Sequence, residues 1–318
     1  MAETRRRNVQ NVARREQPVE PDPAPQPAEP LEPIGPKVSA ILVAHNQAPA
    51  LRRSIEALER SAERERLEIL VVDCGSQDGS AQLDDEYPAI TVLRLPHHFG
   101  ATKAMNIGTR TAKSELVFYL APGVEVAPDT VARLTERSEA DPDAVAVCPL
   151  LEDGQGRVVS RVWKIPASDV FAMVCGGKEM PGADIDVSQE AVDVEYPGRD
   201  AILVRRQFVK GMNYFDERYG HFWADADLAM QIRRSQKKIR LYPGIRATVH
   251  SSPDPAAREP AFTVDRALGA AHFLAKYHGF FAGLRFRVAV ILKALVSFRL
   301  GELAALVSGQ KVDGSQSA

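Results

Sequence analysis

Cysteine is scarce in this sequence: Cys74, Cys148 and Cys175 stand far apart, and no CxxC pair occurs. That usage fits a reducing compartment and gives no support to a structural zinc site. Charge of one sign is missing as well. The 40 basic and 42 acidic residues balance, so no overall field argues for nucleic acid as a partner. No uncharged apolar run reaches the roughly 20 residues of a membrane-spanning helix. The first apolar run begins only at Val38, after a polar, proline-rich start, so no signal peptide is expected. A GxGxxG turn after the first strand is also lacking. Ala44-His45-Asn46-Gln47 stands there instead, which argues against a dinucleotide-dependent oxidoreductase.

What is present has a clear order. With 318 residues the chain can hold one large domain or two modest ones. Residues 1–36 combine Arg5, Arg6, Arg7, Arg14 and Arg15 with closely spaced prolines between positions 18 and 36. Such a composition cannot bury enough apolar surface to offset chain entropy, and a disordered tail is expected. Order begins at Val38, where an apolar run predicts a buried strand ending at Ala44-His45-Asn46. A helix over 48–62 follows, with Leu51, Ile55 and Leu58 at helical spacing. Next comes Ile69-Leu70-Val71-Val72, which reads as a strand buried on both faces and stops at Asp73. Beyond it, Gly75, Ser76, Asp78 and Gly79 form a small-residue loop of the kind that receives ligands at the carboxyl ends of parallel strands.

A third strand over 90–95 completes a β-α-β-α-β run, which implies parallel strands and right-handed crossovers. A helix from Gly100 to about Lys113, a strand over 115–120, a loop over 121–126, a helix begun by Asp129 and a strand over 144–149 come next. Residues 150–192 read as loops with a hairpin around Gly154-Gln155-Gly156. The later elements are a strand over 201–206, a helix from Asp225, and two short strands over 239–243 and 248–250. The C-terminal part reads as two helices split near His278-Gly279.

In this order the motifs resemble glycosyltransferase family 2, the inverting, nucleotide-sugar-dependent class with a GT-A fold, and its rhamnosyltransferase-like members in particular. The resemblance covers roughly residues 37–250. It is carried by Val71-Val72-Asp73-Cys74-Gly75-Ser76-Gln77-Asp78-Gly79-Ser80, by His98-Phe99-Gly100-Ala101-Thr102-Lys103-Ala104-Met105-Asn106-Ile107-Gly108, by Phe215-Asp216-Glu217-Arg218-Tyr219, and by Ala224-Asp225-Ala226-Asp227-Leu228. It implies an α/β, Rossmann-like, mostly parallel sheet flanked by helices, with added C-terminal helices. The expected divisions are a tail over 1–36, a GT-A domain over 37–255, a helical segment over 256–308 and a second tail over 309–318.

By the same resemblance Ala44, Asn46, Asp73, Asp78, Gly100 and Lys103 are the donor-binding candidates, and Asp225 is the general base. A strand-end carboxylate suits a nucleoside base, and small residues let the backbone approach ribose and phosphate. The family also implies a divalent metal, Mn2+ or Mg2+, for which Glu125 and His250 are the candidates. Two departures bear on that. Ala121-Pro122-Gly123 stands where the family has metal-binding aspartate, and Ala224 stands where the ED pair has glutamate.

Two readings follow. The first is an inverting transferase that moves a sugar from a nucleotide sugar to a glycan or lipid-linked acceptor in cell-surface polysaccharide synthesis. The second is a degenerate copy that binds nucleotide or glycan without transfer. Basic residues interleaved with Phe281, Leu284, Val288, Ile291, Leu292, Leu295 and Phe298 suit either an interfacial helix on an anionic inner leaflet or a helix packed on the domain. A cytoplasmic protein, free or peripheral on the inner face of the membrane, is expected.

Overall fold

The computed structural model describes residues 35–159, 162–178, 180–250 and 260–309. The tails expected over 1–36 and 309–318 lie almost wholly outside these residues. In the amino-terminal half, β1 (Val38–Ala44), α1 (Ala48–Glu59), β2 (Leu67–Asp73), α2 (Leu83–Glu86), β3 (Ile90–Arg94), α3 (Ala101–Thr111) and β4 (Leu116–Leu120) follow the predicted alternation. Then come β5 (Val124–Val126), α4 (Thr130–Ala140), β6 (Ala144–Asp153), α5 (Ser168–Cys175), β7 (Val192–Val194), β8 (Ala201–Arg205) and α6 (Arg206–Gly211). The remainder is α7 (Ala224–Arg234), β9 (Lys238–Val249), α8 (Pro260–His278), α9 (Phe280–Val296) and α10 (Leu300–Ser308).

Among the described residues the strands form one sheet in the order β3-β2-β1-β4-β8-β6-β9-β5, with β7 paired to β9. It is parallel from β3 through β4. Antiparallel pairing enters at β8, which lies between β4 and β6, while β6 and β9 run parallel. Strand β1 has β2 on one side and β4 on the other. The chain reverses its direction of growth there, and the carboxyl ends of β1 and β4 open a crevice.

Side chains alternate across this sheet as the strand period requires. Leu70 and Val72 of β2 and Ile41 of β1 face α3, α7 and α8 in one apolar core. Ile69, Val71 and Leu42 face Leu51, Ile55 and Leu58 of α1 and Leu134 of α4 in another. Two covered faces explain the near-continuous apolar run of β2.

Four expectations are corrected. Residues 124–126, read as loop, form β5, because Val124 and Val126 turn inward while the backbone pairs with the end of β9. The two short strands over 239–250 are a single long strand, bent where its register with β6 shifts between Pro149 and Leu150. The loop region over 150–192 contains α5, whose Phe171 is fully buried among Trp223, Phe273 and Phe286. The second C-terminal helix is broken between α9 and α10, where Phe298 takes a left-handed conformation with φ 53°.

Helix α8 is fastened to α7 and to the segment ahead of it by charge. Asp227 of α7 is 1% exposed. It accepts hydrogen bonds from Tyr219 Oη (2.9 Å), Lys276 Nζ (2.8 Å) and Tyr277 Oη (2.6 Å). Burial first, and then the Asp227 carboxylate, push both phenols well above their usual range, so both remain donors. Asp216 accepts from His272 at 3.0 Å and from Arg218 at 2.7–2.8 Å. Burial alone would raise its carboxyl, but these hydrogen bonds outweigh it and hold Asp216 well below the usual carboxylate range.

Asp227→Ala strands Lys276 and two phenols, and should lower unfolding stability by on the order of 3 kcal/mol, read as an earlier urea midpoint. The depressed Asp216 carboxyl contributes stability that is present above its unfolded pKa and lost in acid. Stability should therefore fall as pH drops from about 5 through about 4 and below, and Asp216→Asn should flatten that slope in acid unfolding followed by circular dichroism.

Candidate active site

The loops leaving β1 and β2 are laced together by the predicted residues. Asn46 adopts φ 52°. Its Oδ1 accepts Gln77 N–H at 2.8 Å, and its own N–H donates to Ser76 Oγ at 2.9 Å. Asp78 accepts Ala48 N–H at 2.7 Å and the Ser80 hydroxyl at 2.6 Å. Burial opposes its charge, yet these bonds together hold its carboxyl below the ordinary value. Helix α1 lacks a side-chain cap of its own, so Asp78 caps it from a distant loop. Asp73 is 1% exposed. One of its oxygens accepts Ser76 N–H at 3.0 Å, and the other, buried, has no hydrogen-bond partner among the described residues.

Gly100 opens α3 with φ 86°, and a Cβ there would lie 2.7 Å from the carbonyl of Gly220. Only glycine permits this approach. Thr102 N–H then donates to Gly220 O at 3.0 Å, which joins the start of α3 to the loop ahead of α7. Lys103 Nζ stacks 4.3 Å from the centre of the Phe99 ring and does not line the crevice. Asn106, 1% exposed, exchanges two 2.9 Å hydrogen bonds with the Phe215 backbone. It clamps α3 to the backbone at Phe215.

A cavity of about 580 Å3 occupies the crevice, with Ala44, His45, Leu120, Ala121, Arg199 and His250 among its walls. His98, whose ring centre lies 4.7 Å from that of His45 and 5.4 Å from that of His221, forms part of the same lining. A second cavity of about 670 Å3 is walled by Trp163, Tyr196, Phe222, Trp223 and Asp225. Arg199 and His221 line both, so the two cavities meet there.

Asp225 begins α7 and faces the second cavity. Its Oδ2 accepts the Tyr196 phenol at 2.8 Å, and its Oδ1 accepts Ala226 N–H at 3.0 Å. Burial first, then the Asp225 charge, push the Tyr196 phenol well above its usual range, so Tyr196 remains the donor. A carboxylate offers about four lone-pair sites, and two stay available for a hydroxyl. Just ahead of it, Trp223 is buried with φ 76° and donates Nε1–H to Arg266 O at 2.9 Å. Asp265 of α8, fully buried, accepts His221 N–H at 2.7 Å. Tyr196, Arg199, His221 and Asp265 went unnoticed in the sequence. Asp265 lies beyond the span of the family motifs, and Arg199 sits in the short segment ahead of β8, to which the sequence assigns no element.

The metal candidates do meet, because β5 pairs with β9, but they satisfy each other. His250 Nε2 lies 2.9 Å from Glu125 Oε2, and Arg60 lies 3.3 Å from Glu125 Oε1. Among the described residues no group of three His, Cys, Asp or Glu side chains converges. Gly123 has φ 88°, and a Cβ at that position would lie 2.9 Å from His250 O, so this backbone has no room for the family's aspartate. The side chains present do not fit a protein-held divalent ion, which prefers several oxygen ligands.

Comparison with known proteins agrees with this geometry. Residues 39–174 match glycosyl transferase family 2. A curated relative, N-acetylglucosaminyl-diphospho-decaprenol L-rhamnosyltransferase of Mycobacterium tuberculosis, is 23% identical over 246 residues, spanning 70% of this chain and 78% of that one. The mannosyltransferase PcManGT of Pyrobaculum calidifontis, solved with GDP-Man and Mn2+, superposes with a TM-score of 0.53 at 19% identity, covering 86% of this chain and 79% of that one. GalNAc-T7, solved with UDP, GalNAc and Mn2+, gives 0.53 at 18% identity over 67% of this chain and 43% of its own length. The strand order, the crevice at the β1–β4 switch and the match over residues 39–174 agree: the chain has the GT-A fold of solved glycosyltransferases, and the matched segment is similar to glycosyl transferase family 2.

Proposed function

We propose that the chain transfers a sugar, with inversion, from a nucleotide-sugar donor in the β1–β4 crevice to a hydroxyl of a lipid-linked glycan in the adjoining cavity, as a step of cell-surface polysaccharide synthesis. The observation that carries this reading is the shared wall. Asp225 lines one cavity, the strand-end residues Ala44 and His45 line the other, and Arg199 with His221 lies between them. The orphaned buried oxygen of Asp73 suits an N–H of the donor's base, since a buried acceptor without a donor is costly.

In this reading Asp225 takes the proton of the acceptor hydroxyl as its oxygen attacks C1. The C1–oxygen bond to the diphosphate breaks on the opposite face, and the nucleoside diphosphate leaves with the electron pair. Tyr196 holds the carboxylate in place. Trp163, Phe222 and Trp223 offer apolar faces to the acceptor sugar. Asp78, Asn46 and Gly100 serve by shaping the loops around the donor, and Lys103 stands back from it.

The lipid-linked acceptor draws support from the rhamnosyltransferase relative, whose name specifies a decaprenol-linked substrate, and from the C-terminal helices. On α9, Phe281, Leu284, Val288, Leu292 and Leu295 recur at helical spacing and are all exposed, Phe281 to 75%. An amphipathic helix normally turns such a stripe inward. Here Gly283, Phe286 and Ala294 are the inward residues. With Arg285, Lys293 and Arg299 nearby, the outward stripe suits peripheral contact with the anionic inner face of the cytoplasmic membrane. No helix among the described residues is long and apolar enough to cross it.

A second reading, nucleotide binding without transfer, is favoured by Ala121 and Gly123 in place of the metal-binding carboxylates. Asp225→Asn separates the two. It should cut release of nucleoside diphosphate in the presence of acceptor by at least about 100-fold while donor affinity holds; wild-type protein that binds donor but never releases product would favour the second reading. For the membrane contact, the protein should sediment with phosphatidylglycerol vesicles but not with phosphatidylcholine vesicles. Leu284→Glu with Leu292→Glu should abolish sedimentation, and unchanged sedimentation of that variant would remove α9 from the argument.

A further inference from the structure

We propose that the Arg199 guanidinium, held by His221, carries out the charge neutralisation that a divalent ion performs in metal-dependent relatives: it binds the donor's diphosphate and stabilises it as it departs. The inference rests on the reading of the β1–β4 crevice as the donor site.

Departure of a diphosphate needs positive charge placed in advance where the negative charge develops. The carboxylates that would hold a cation there are replaced by Ala121 and Gly123, and position 123 cannot accept a side chain without moving His250 O. Glu125 and His250, the nearest substitutes, are occupied with each other and with Arg60. Among the described residues lining the crevice, Arg199 is the one lysine or arginine. It also lines the cavity that contains Asp225. A residue on the wall common to both cavities borders the space where the acceptor oxygen, C1 and the glycosidic phosphate oxygen must be in line.

Arg199 is fixed in advance. One terminal nitrogen donates to His221 O at 3.0 Å, and the other lies 3.3 Å from His221 Nε2. His221 is itself held by Asp265 through its backbone N–H. Arginine has five N–H donors in a planar fork that matches phosphate oxygens, so donors remain for the ligand after both contacts. The surrounding charges are mixed: Asp200 is the carboxylate in the same lining, and the rings of His45, His98, His221 and His250 complete it. In the transfer step Arg199 keeps its proton throughout. The acceptor proton goes to Asp225, the new C1–oxygen bond replaces the C1–oxygen bond to phosphate, and the additional negative charge that develops on the departing diphosphate meets the guanidinium.

The test compares binding of UDP, dTDP and GDP, and of the matching nucleosides, by calorimetry in the presence of EDTA. The wild-type protein should bind one of the diphosphates in EDTA. Arg199→Gln should weaken that diphosphate by at least about tenfold, while affinity for the corresponding nucleoside stays within about twofold. Arg199→Lys should recover part of the loss. Equal loss of nucleoside and diphosphate affinity would mean a collapsed site and would overturn the proposal, as would diphosphate affinity that survives Arg199→Gln. Wild-type binding that disappears in EDTA and returns with manganese would also overturn it, while leaving the donor-site reading intact. If wild-type protein binds no diphosphate under either condition, the donor-site reading itself fails.

Discussion

The hydrogen bond from His221 N–H to the buried Asp265 carboxylate fixes the loop on which the rest of the site depends. A carboxylate is costly to bury without a donor, so Asp265 requires the 219–223 backbone to stay against α8. The neighbouring Gly220 carbonyl is then held at the start of α3, where Gly100 lets the two backbones touch. Trp223 is forced into its left-handed conformation, and α7 begins with Asp225 turned toward Tyr196. The same loop carries the carbonyl and the ring that hold Arg199. The β1–β4 crevice, the adjoining cavity and Asp225 are tied together through a contact from a helix that lies outside the family match.

The amino-terminal half was legible because its signals are local. A run such as Ile69-Leu70-Val71-Val72 can be buried on both faces only inside a parallel sheet, and small residues after Asp73 mark a loop at its carboxyl end. The long strand β9 was harder to see, since its pairing with β6 shifts register midway and Pro243-Gly244 reads as a break. Helix α5 escaped notice because its one fully buried residue, Phe171, packs on aromatic partners from α7's approach and α8, which no local period reveals.

For the site the division is similar. Asp225 follows from its motif, and its distinction from Asp227 follows from partners. Asp227 is consumed by Lys276, Tyr219 and Tyr277, whereas Asp225 retains lone pairs toward a cavity. Asp78 and Asn46 fall in the expected loops, but their side chains are spent on the backbone. Arg199 and Asp265 carry no signal in one dimension. Each becomes meaningful only through a contact with residue 221.

Helix α8 also bears on how the molecule comes into being. The strands β1 to β4 and their helices are complete by Leu120, and they pair with one another. The loop ahead of Asp225 is not: His221 waits for a partner 44 positions later, and Asp227 for one 49 positions later. During synthesis this part of the sheet can therefore assemble while the loop ahead of Asp225 is still open. The loop closes only once α8 has been made, so a chain released before α8 would keep the outline of the β1–β4 sheet without the contacts that hold residues 221 and 227.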